Sequence, residues 1–196
     1  MIVYTLHPDK ANKKIFVMPP IGNRVGDIED FDTGVKKIEN WTPPSIEWFD
    51  DDGRNLKKYK DPDITYISHR GSLIVSPHTH NLIGSTINDV AELLPLSFND
   101  EIWYLLNVFN QVDALDKENS RYKMYSTGKI GWLIKPAFFV EKLPRNKLFR
   151  IPLYPAIYYS EAPSDNNENN FKSIVEKNNL FGIEFVKVWE DQESTG

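Results

Sequence analysis

Two acidic side chains, Asp113 and Asp116, follow the most apolar stretch of the sequence, residues 101–109. Paired carboxylates at the end of a strand are typical of a general acid and a general base. Aspartates at such a corner are equally typical of turns, because their oxygens accept hydrogen bonds from nearby backbone amides. No histidine and no metal-binding motif accompanies the pair, so we favour the turn and expect Ser120 to join its network. A hydrolase-like enzyme that uses Asp113 and Asp116 stays the alternative hypothesis.

Histidines are the other side chains with obvious chemistry, and the sequence has four of them: His7, His69, His78 and His80. Ser76 followed by Pro77 predicts the N-cap and the first position of a helix that runs to about Ile83. On that helix His78 and His80 point about 200° apart and cannot bind one ion, although on a strand they would share a face. Nothing downstream completes a metal site. The sequence therefore predicts surface histidines, with no metal and no other cofactor.

Length, composition and charge exclude several classes of protein. The chain has 196 residues and no cysteine, which rules out disulfides, thiolate metal sites and a cysteine nucleophile. It has no G-x-S-x-G elbow, phosphate-binding loop or dinucleotide-binding fingerprint. Its net charge of −5 argues against broad nucleic-acid binding and is compatible with a basic protein partner. No apolar stretch approaches the ~20 residues that span a membrane, and residues 1–8 lack a signal-peptide pattern, so we expect a cytoplasmic protein that does not bind membranes.

The elements that must hold these side chains are mostly strands. Apolar runs predict strands at 2–6, 15–18, 46–48, 73–75, 101–109, 148–151, 156–159 and 183–189, and a hairpin of 122–125 with 130–134. The strand at 101–109 is apolar enough to be central, whereas prolines limit 148–151 and 156–159 to edges or short spans. A second helix starts at Phe171 behind an Asn170 cap and is closed by Gly182. The sequence predicts an α+β fold, mostly antiparallel β-sheet with at least two short helices, in a single domain.

Aromatic residues occur as adjacent pairs, which are Trp48-Phe49, Trp103-Tyr104, Phe138-Phe139 and Tyr158-Tyr159. Neighbours in a strand face opposite sides of a sheet, so each pair places one ring in the core and the other on a second covered face or in solvent. Exposed tryptophan and tyrosine side chains are typical anchors of protein contacts. A structural adaptor that dimerises through the strand edges around Tyr158 is therefore a further hypothesis.

Several short segments together resemble one bacterial protein family. They are Trp41-x-Pro43-Pro44, Leu73-Ile74-Val75-Ser76, Leu94-Pro95-Leu96, Tyr104-Leu105-Leu106-Asn107-Val108, Val112-Asp113-Ala114-Leu115-Asp116, Ser120, Leu148-Phe149-Arg150-Ile151-Pro152, Ile157-Tyr158-Tyr159-Ser160-Glu161 and Asn179-Leu180-Phe181-Gly182-Ile183-Glu184-Phe185. Their order and spacing are similar to those of the immunity proteins of polymorphic-toxin and contact-dependent secretion systems.

The resemblance covers residues 41–189, which we interpret as the family-like core. Phe181, where the family usually has threonine, and an expanded loop at 163–169 depart from the pattern, and we interpret both as variable surface. We expect residues 1–40 to add two strands and an acidic loop to the same domain, and residues 190–196 to form a frayed polar tail.

The resemblance implies a protein without catalytic activity that binds a toxin effector and neutralises it by occluding its active site. Such inhibitors bury about 1,600 Å² of surface with a few dominant anchors. Many toxins that act on nucleic acids have basic clefts, so we predict that acidic loop residues contact the partner. These residues are Asp27, Glu29, Asp30, Asp32, Asp50, Asp51 and Asp52. The oligomeric state stays open.

Overall fold

Twelve β-strands and two α-helices make up the part of the chain that the computed structural model describes, which is residues 1–18, 35–49, 55–67, 72–152, 154, 156–162 and 168–191. The strands are β1 (Ile2–Pro8), β2 (Phe16–Val17), β3 (Glu47–Trp48), β4 (Ile64–Ile67), β5 (Ser72–Val75), β6 (Ala91–Phe98), β7 (Glu101–Val108), β8 (Arg121–Met124), β9 (Ile130–Lys135), β10 (Lys147–Arg150), β11 (Ile157–Glu161) and β12 (Ile183–Glu190). The helices are α1 (Pro77–Ile87) and α2 (Phe171–Lys177), and single 3-10 turns lie at Ile38–Asn40, Leu56–Lys58 and Val140–Lys142.

The described strands pair in three sheets. The first sheet has the order β10-β11-β1-β12 and is antiparallel throughout. The second has the order β3-β2-β4-β5-β7-β6 and is antiparallel except between β2 and β4. The third is the β8–β9 hairpin, at the position predicted for it. The predicted α+β fold of mostly antiparallel sheet is confirmed, and β7 is an interior strand as predicted.

The two strands that lie next to prolines are both short, as predicted. β10 lies at the edge of the first sheet, whereas β1 and β10 pair with β11 on both sides, so β11 is an interior strand. The Tyr158 side chain is 4% exposed. Both edges of β11 are paired within the chain, so the edges of this strand are not free for the dimerisation of an adaptor.

A central core lies between the two larger sheets and the two helices. Tyr159 from the first sheet meets Leu73 and Leu106 from the second. Ile83 of α1 and Phe171 of α2 complete this cluster, and all five side chains are at most 1% exposed. This shared core joins the sheets and helices into one scaffold.

Two outer cores cover the opposite faces of the same sheets. Phe16 and Trp103 meet edge to face, with ring centroids 4.9 Å apart, on the outer face of the second sheet. Phe149 and Tyr158 stack with centroids 5.5 Å apart on the outer face of the first sheet. Tyr158 and Tyr159 are therefore both buried, because β11 is covered on both sides.

Local sequence explains where both helices start. The Ser76 hydroxyl accepts a hydrogen bond from the Thr79 amide at 3.2 Å, as expected of an N-cap followed by proline. At α2 the Ser173 amide donates to Asn170 Oδ1 at 2.9 Å, and the Asn170 amide donates to Ser173 Oγ at 3.1 Å. Neither helix has the length and apolar character needed to cross a membrane.

Helix α1 continues one turn beyond its predicted end at Ile83. Gly84 lies inside the helix, where a glycine costs roughly 1 kcal/mol relative to alanine. Ile83 and Ile87 lie on one face and are 0% and 2% exposed. Burying an isoleucine side chain contributes about 1.5–3 kcal/mol, which outweighs the glycine and extends the helix.

Gly182 closes the segment after α2, as the sequence predicts. Its φ is +125°, and a β-carbon at this position would lie 1.8 Å from the Ile64 carbonyl oxygen. The amides of Asp63 and Ile64 donate to the Phe181 carbonyl at 2.8 and 3.0 Å. This close approach of two backbones fastens the chain between α2 and β12 to β4, and only glycine fits there.

Candidate protein-binding surface

The seven acidic residues predicted to contact a partner lie outside the described residues. They are Asp27, Glu29, Asp30, Asp32, Asp50, Asp51 and Asp52. Their part in binding stays a prediction. His69 lies outside the described residues as well.

Asp116 takes part in a turn, as the structural interpretation of the aspartate pair predicts. Its Oδ1 accepts hydrogen bonds from the amides of Glu118 and Asn119, both at 3.1 Å. Its Oδ2 accepts from the Asn119 side chain at 2.6 Å, and this bond is the main cause that lowers the pKa of Asp116. Asp116 lines a cleft of about 920 Å³, whereas the exposed Asp113 is not among the lining residues. Only Asp116 of the pair therefore lines this cleft.

The two described histidines of the α1 region lie in its first turn. His78 is exposed, and the His80 ring stacks on Tyr104 with centroids 3.9 Å apart. His80 Nδ1 is 3.2 Å from Asn81 Oδ1. Within the ranges that the structure describes, no group of three or more histidine or carboxylate side chains is placed to hold a metal ion.

A cluster of titratable side chains ties α2 to the first sheet. The Tyr4 hydroxyl donates to Glu161 Oε2 at 2.8 Å. Lys172 Nζ lies 3.0 Å from Glu176 and 3.4 Å from Glu161. Burial and then the hydrogen bond to Glu161 raise the pKa of Tyr4, so its hydroxyl stays protonated. Each of these polar groups has a hydrogen-bond or ion-pair partner within the cluster. We therefore interpret the cluster as a structural link between α2 and the first sheet.

The β8–β9 hairpin is fixed at its base by reciprocal hydrogen bonds. The Asp116 amide donates to the Ala137 carbonyl at 2.9 Å, and the Ala137 amide donates to Ser120 Oγ at 2.9 Å. The Ser120 hydroxyl donates to the Asp116 carbonyl at 2.5 Å. Ser120 precedes β8 and Ala137 follows β9, so this network holds both ends of the hairpin. The predicted network of Asp116 and Ser120 is thus present, and its role is to anchor the hairpin.

The inner face of the hairpin packs on the outer core of the first sheet. Leu133 of β9 is half-buried in that cluster and pairs across the strands with Tyr122. Tyr154 lies beside Tyr122 of β8. Burial and this neighbour raise the pKa of the Tyr154 hydroxyl. At the tip the Tyr125 amide donates to the Lys129 carbonyl at 3.0 Å and closes the turn. The hairpin is therefore attached to the scaffold along one face, and a backbone hydrogen bond closes its tip.

The outer face of the hairpin presents large hydrophobic side chains to solvent. Ile130, Trp132 and Ile134 alternate along β9 and are 67%, 59% and 46% exposed. We call these three residues the apolar stripe. Met124, across the hairpin from Ile130, and Tyr125 at the tip are also exposed. Of the eleven exposed large hydrophobic side chains in the described part of the chain, five therefore lie in this one hairpin.

Contacts on the hairpin hold the Trp132 ring in place. The Tyr125 ring meets Trp132 edge to face, with centroids 6.1 Å apart. Lys123 Nζ lies 5.2 Å from the centre of the Trp132 ring, within range of a cation–π interaction. A β-carbon on Gly131 would come within 2.8 Å of the Tyr125 ring, so the absence of a side chain there gives that ring its place. The tryptophan is exposed yet supported by its neighbours.

The hairpin is also the site of a local positive charge in an acidic protein. Residues 121–135 contain four cations and no carboxylate, although the whole chain has a net charge of −5. The cations are Arg121, Lys123, Lys129 and Lys135, and all four are exposed. None of them forms an ion pair with a residue that the structure describes. The apolar stripe therefore lies on a hairpin whose charged side chains are all cations, and Lys123 among them lies against Trp132.

The hairpin was predictable from the sequence, but its exposed face was not predicted. The surface aromatics expected from the sequence are those in adjacent pairs, and Trp132 is not in such a pair. The available signal was the run Ile130-Gly131-Trp132-Leu133-Ile134, which is apolar on both faces of a two-stranded hairpin and has lysines at both ends. A two-stranded sheet packs only one face on its own domain, so one apolar face had to be left uncovered.

Comparisons with known proteins add no family to these observations. No protein-family model matches the chain, and no curated protein matches it significantly.

Proposed function

We propose that this protein is an immunity protein that binds a cognate toxin effector and neutralises it without catalysis, by covering the effector's active site. The resemblance of residues 41–189 to immunity proteins suggests the class of partner. The observation that supports a binding role is the apolar stripe, Ile130, Trp132 and Ile134, exposed on an anchored hairpin. Large exposed apolar patches on a folded domain are typical of protein contacts, and tryptophan is enriched among dominant anchors.

The anchoring of the hairpin bears on how tightly such a surface binds. Side chains already held in place lose less conformational freedom when a partner arrives, so more of the contact energy contributes to affinity. Trp132 is held by Tyr125 and Lys123, and the hairpin base is held by Ser120 and Ala137. An inhibitor of a lethal protein needs this kind of ordered surface, because any dissociated toxin is active.

The test first searches the genes next to that of this chain for a secreted multidomain toxin, and then co-expresses the effector domain of that toxin with this protein. The wild-type protein is expected to restore growth and to co-elute with the effector as a stoichiometric complex. Trp132→Ser is expected to weaken binding by about 2 kcal/mol, roughly thirtyfold, and to reduce protection. Ile102→Ser is the matched control, because Ile102 is 53% exposed but lies on β7, outside the hairpin. Failure of the wild-type chain to bind and protect would refute the proposal.

A titration separates this proposal from the enzyme hypothesis. A non-catalytic inhibitor protects only when its amount equals or exceeds that of the effector, whereas an enzyme acts at substoichiometric amounts. Asp113→Asn combined with Asp116→Asn is expected to leave stoichiometric protection intact. Loss of protection in a folded double variant that still binds the effector would favour the enzyme.

A further inference from the structure

We infer that the β8–β9 hairpin receives a protein surface that has an apolar centre and a rim of carboxylates. This inference rests on the proposed function for the identity of the partner, but its chemistry follows from the hairpin alone. It also differs from the expectation based on the acidic loops, which predicts a basic partner.

The arrangement of side chains on the hairpin defines the complementary surface. The apolar stripe runs along the middle of the outer face, on alternate positions of β9. Lys129 precedes the stripe in the chain and Lys135 follows it, while Lys123 lies against Trp132 from the neighbouring strand. Because these cations have no carboxylate partner among the described residues, their charges are available to a ligand. A surface that buries the stripe meets Lys123 beside Trp132, and its ends approach Lys129 and Lys135, of which Lys135 also lines the cleft with Asp116. Carboxylates at the periphery of that surface complement these positive charges.

A protein fits this surface better than a nucleic acid does. Single-stranded nucleic acids bind by stacking bases on aromatic rings, but two of the three stripe residues are isoleucines. Lys123 also lies over the Trp132 ring, where a base would stack. The net charge of −5 opposes the approach of a polyanion.

A protein also fits better than an anionic membrane. The outer edges of β8 and β9 pair with no third strand in the described sheets, so the hairpin carries unpaired backbone amides and carbonyls beside its apolar stripe. Transfer of such groups into hydrocarbon is costly, whereas a protein partner offers them hydrogen bonds. The net charge of the chain opposes binding to anionic lipid as well.

The experiment selects random twelve-residue peptides displayed on phage against the purified full chain, without any toxin. Recovered peptides are expected to carry aromatic or aliphatic residues flanked by aspartate or glutamate. Synthetic copies of them are expected to bind at least tenfold more weakly to Trp132→Ser and to Lys123→Glu combined with Lys129→Glu. Lys57→Glu combined with Lys58→Glu is the control for the same charge change, because both lysines are exposed outside the hairpin. Raising the salt from 50 to 300 mM is expected to weaken peptide binding to the wild type. It is expected to have little effect on the residual peptide binding of the variant that combines Lys123→Glu with Lys129→Glu.

Several results would overturn the inference. Peptides that lack acidic residues, or that bind the hairpin variants as well as the wild type, contradict the chemistry assigned to the surface. Hairpin-dependent binding to vesicles of phosphatidylcholine and phosphatidylglycerol, or to oligo(dT), in place of the peptides would assign the surface to lipid or nucleic acid. Sedimentation that shows hairpin-dependent self-association would assign it to a second copy of the chain. No toxin is present in the peptide selection, so its failure would not change the interpretation of the co-expression test. If peptides bind the hairpin but the protein does not protect cells, the binding surface is retained and the immunity function is rejected.

Discussion

The β6–β7 and β8–β9 hairpins are built from similar residues but use their tryptophans differently. β7 is covered on both faces, because Trp103 and Leu105 enter an outer core while Leu106 and Val108 enter the central core. Trp103 is 4% exposed, whereas Trp132 on β9 is 59% exposed. Trp103 contributes to the stability of the fold, since its removal would open a cavity in a core. Trp132 does not contribute in this way, because much of its apolar surface is exposed to water.

This difference separates scaffold from surface within one chain. An apolar side chain that no part of the domain covers contributes little to folding and favours association with another molecule. The same residue type therefore has opposite expected effects on stability and on binding in the two hairpins. Substitutions in both hairpins therefore test whether the distinction between scaffold and binding surface holds.

The largest expected effect on stability is at the buried tryptophan. Trp103→Ala is expected to lower the free energy of unfolding by about 3–5 kcal/mol, because it leaves a cavity among Phe16, Trp48 and Phe98. Urea denaturation followed by circular dichroism measures the change. A loss below about 1 kcal/mol would mean that the outer core does not support the sheet.

An intermediate effect is expected at the base of the β8–β9 hairpin. Ser120→Ala removes the acceptor of the Ala137 amide and is expected to cost about 1–2 kcal/mol. Ser126→Ala, at the exposed tip, is the matched control and is expected to be neutral. Urea denaturation measures the change in the free energy of unfolding of each variant. Hydrogen exchange at the Ala137 amide measures the local change at the base of the hairpin. Equal stability of both variants would show that Ser120 does not anchor the hairpin.

A local pH dependence is expected at the same base. The Asn119 side chain lowers the folded-state pKa of Asp116, so the ionised carboxylate stabilises the turn above its unfolded pKa. That contribution is lost as the pH falls through the lowered folded pKa. In an NMR titration from pH 7 to 2, the Glu118 and Asn119 amide shifts are expected to change below the usual aspartate range. The change should be absent in Asp116→Asn, and a midpoint at or above the usual value would contradict the hydrogen bonds described.

The smallest expected effect on stability is on the apolar stripe itself. Ile130→Ser and Trp132→Ser are each expected to lower the free energy of unfolding by about 1 kcal/mol or less, because both side chains are exposed and Trp132 loses only its contacts with Tyr125 and Lys123. The measurement is the same urea denaturation as for Trp103→Ala. A large loss at either position would place the stripe in the scaffold and remove the contrast between the hairpins.

The sequence was sufficient for most of the scaffold, for reasons that are local. Ser76 followed by Pro77 and the Asn170 cap specify helix starts through hydrogen bonds within one turn. The β8–β9 hairpin was predictable because turn residues separate two apolar runs. The end of α1 was missed, since it depends on burial of Ile87 against distant residues.

The candidate surface was less predictable because it depends on which face of a strand is covered. Alternation along β9 shows two apolar faces, and only the packing of Leu133 on the outer core shows which one is buried. The interior position of β11 depends in the same way on pairing with β1, which is more than 150 residues away in the chain. Contacts between distant segments carry information that spacing within a segment does not contain.

The unpaired edges of β8 and β9 have a consequence for solubility. An open strand edge beside apolar side chains is a template on which identical chains can stack into aggregates. Arg121, Lys123, Lys129 and Lys135 oppose this, because two such hairpins brought edge to edge repel each other. We therefore expect these cations to disfavour edge-to-edge stacking of the free protein.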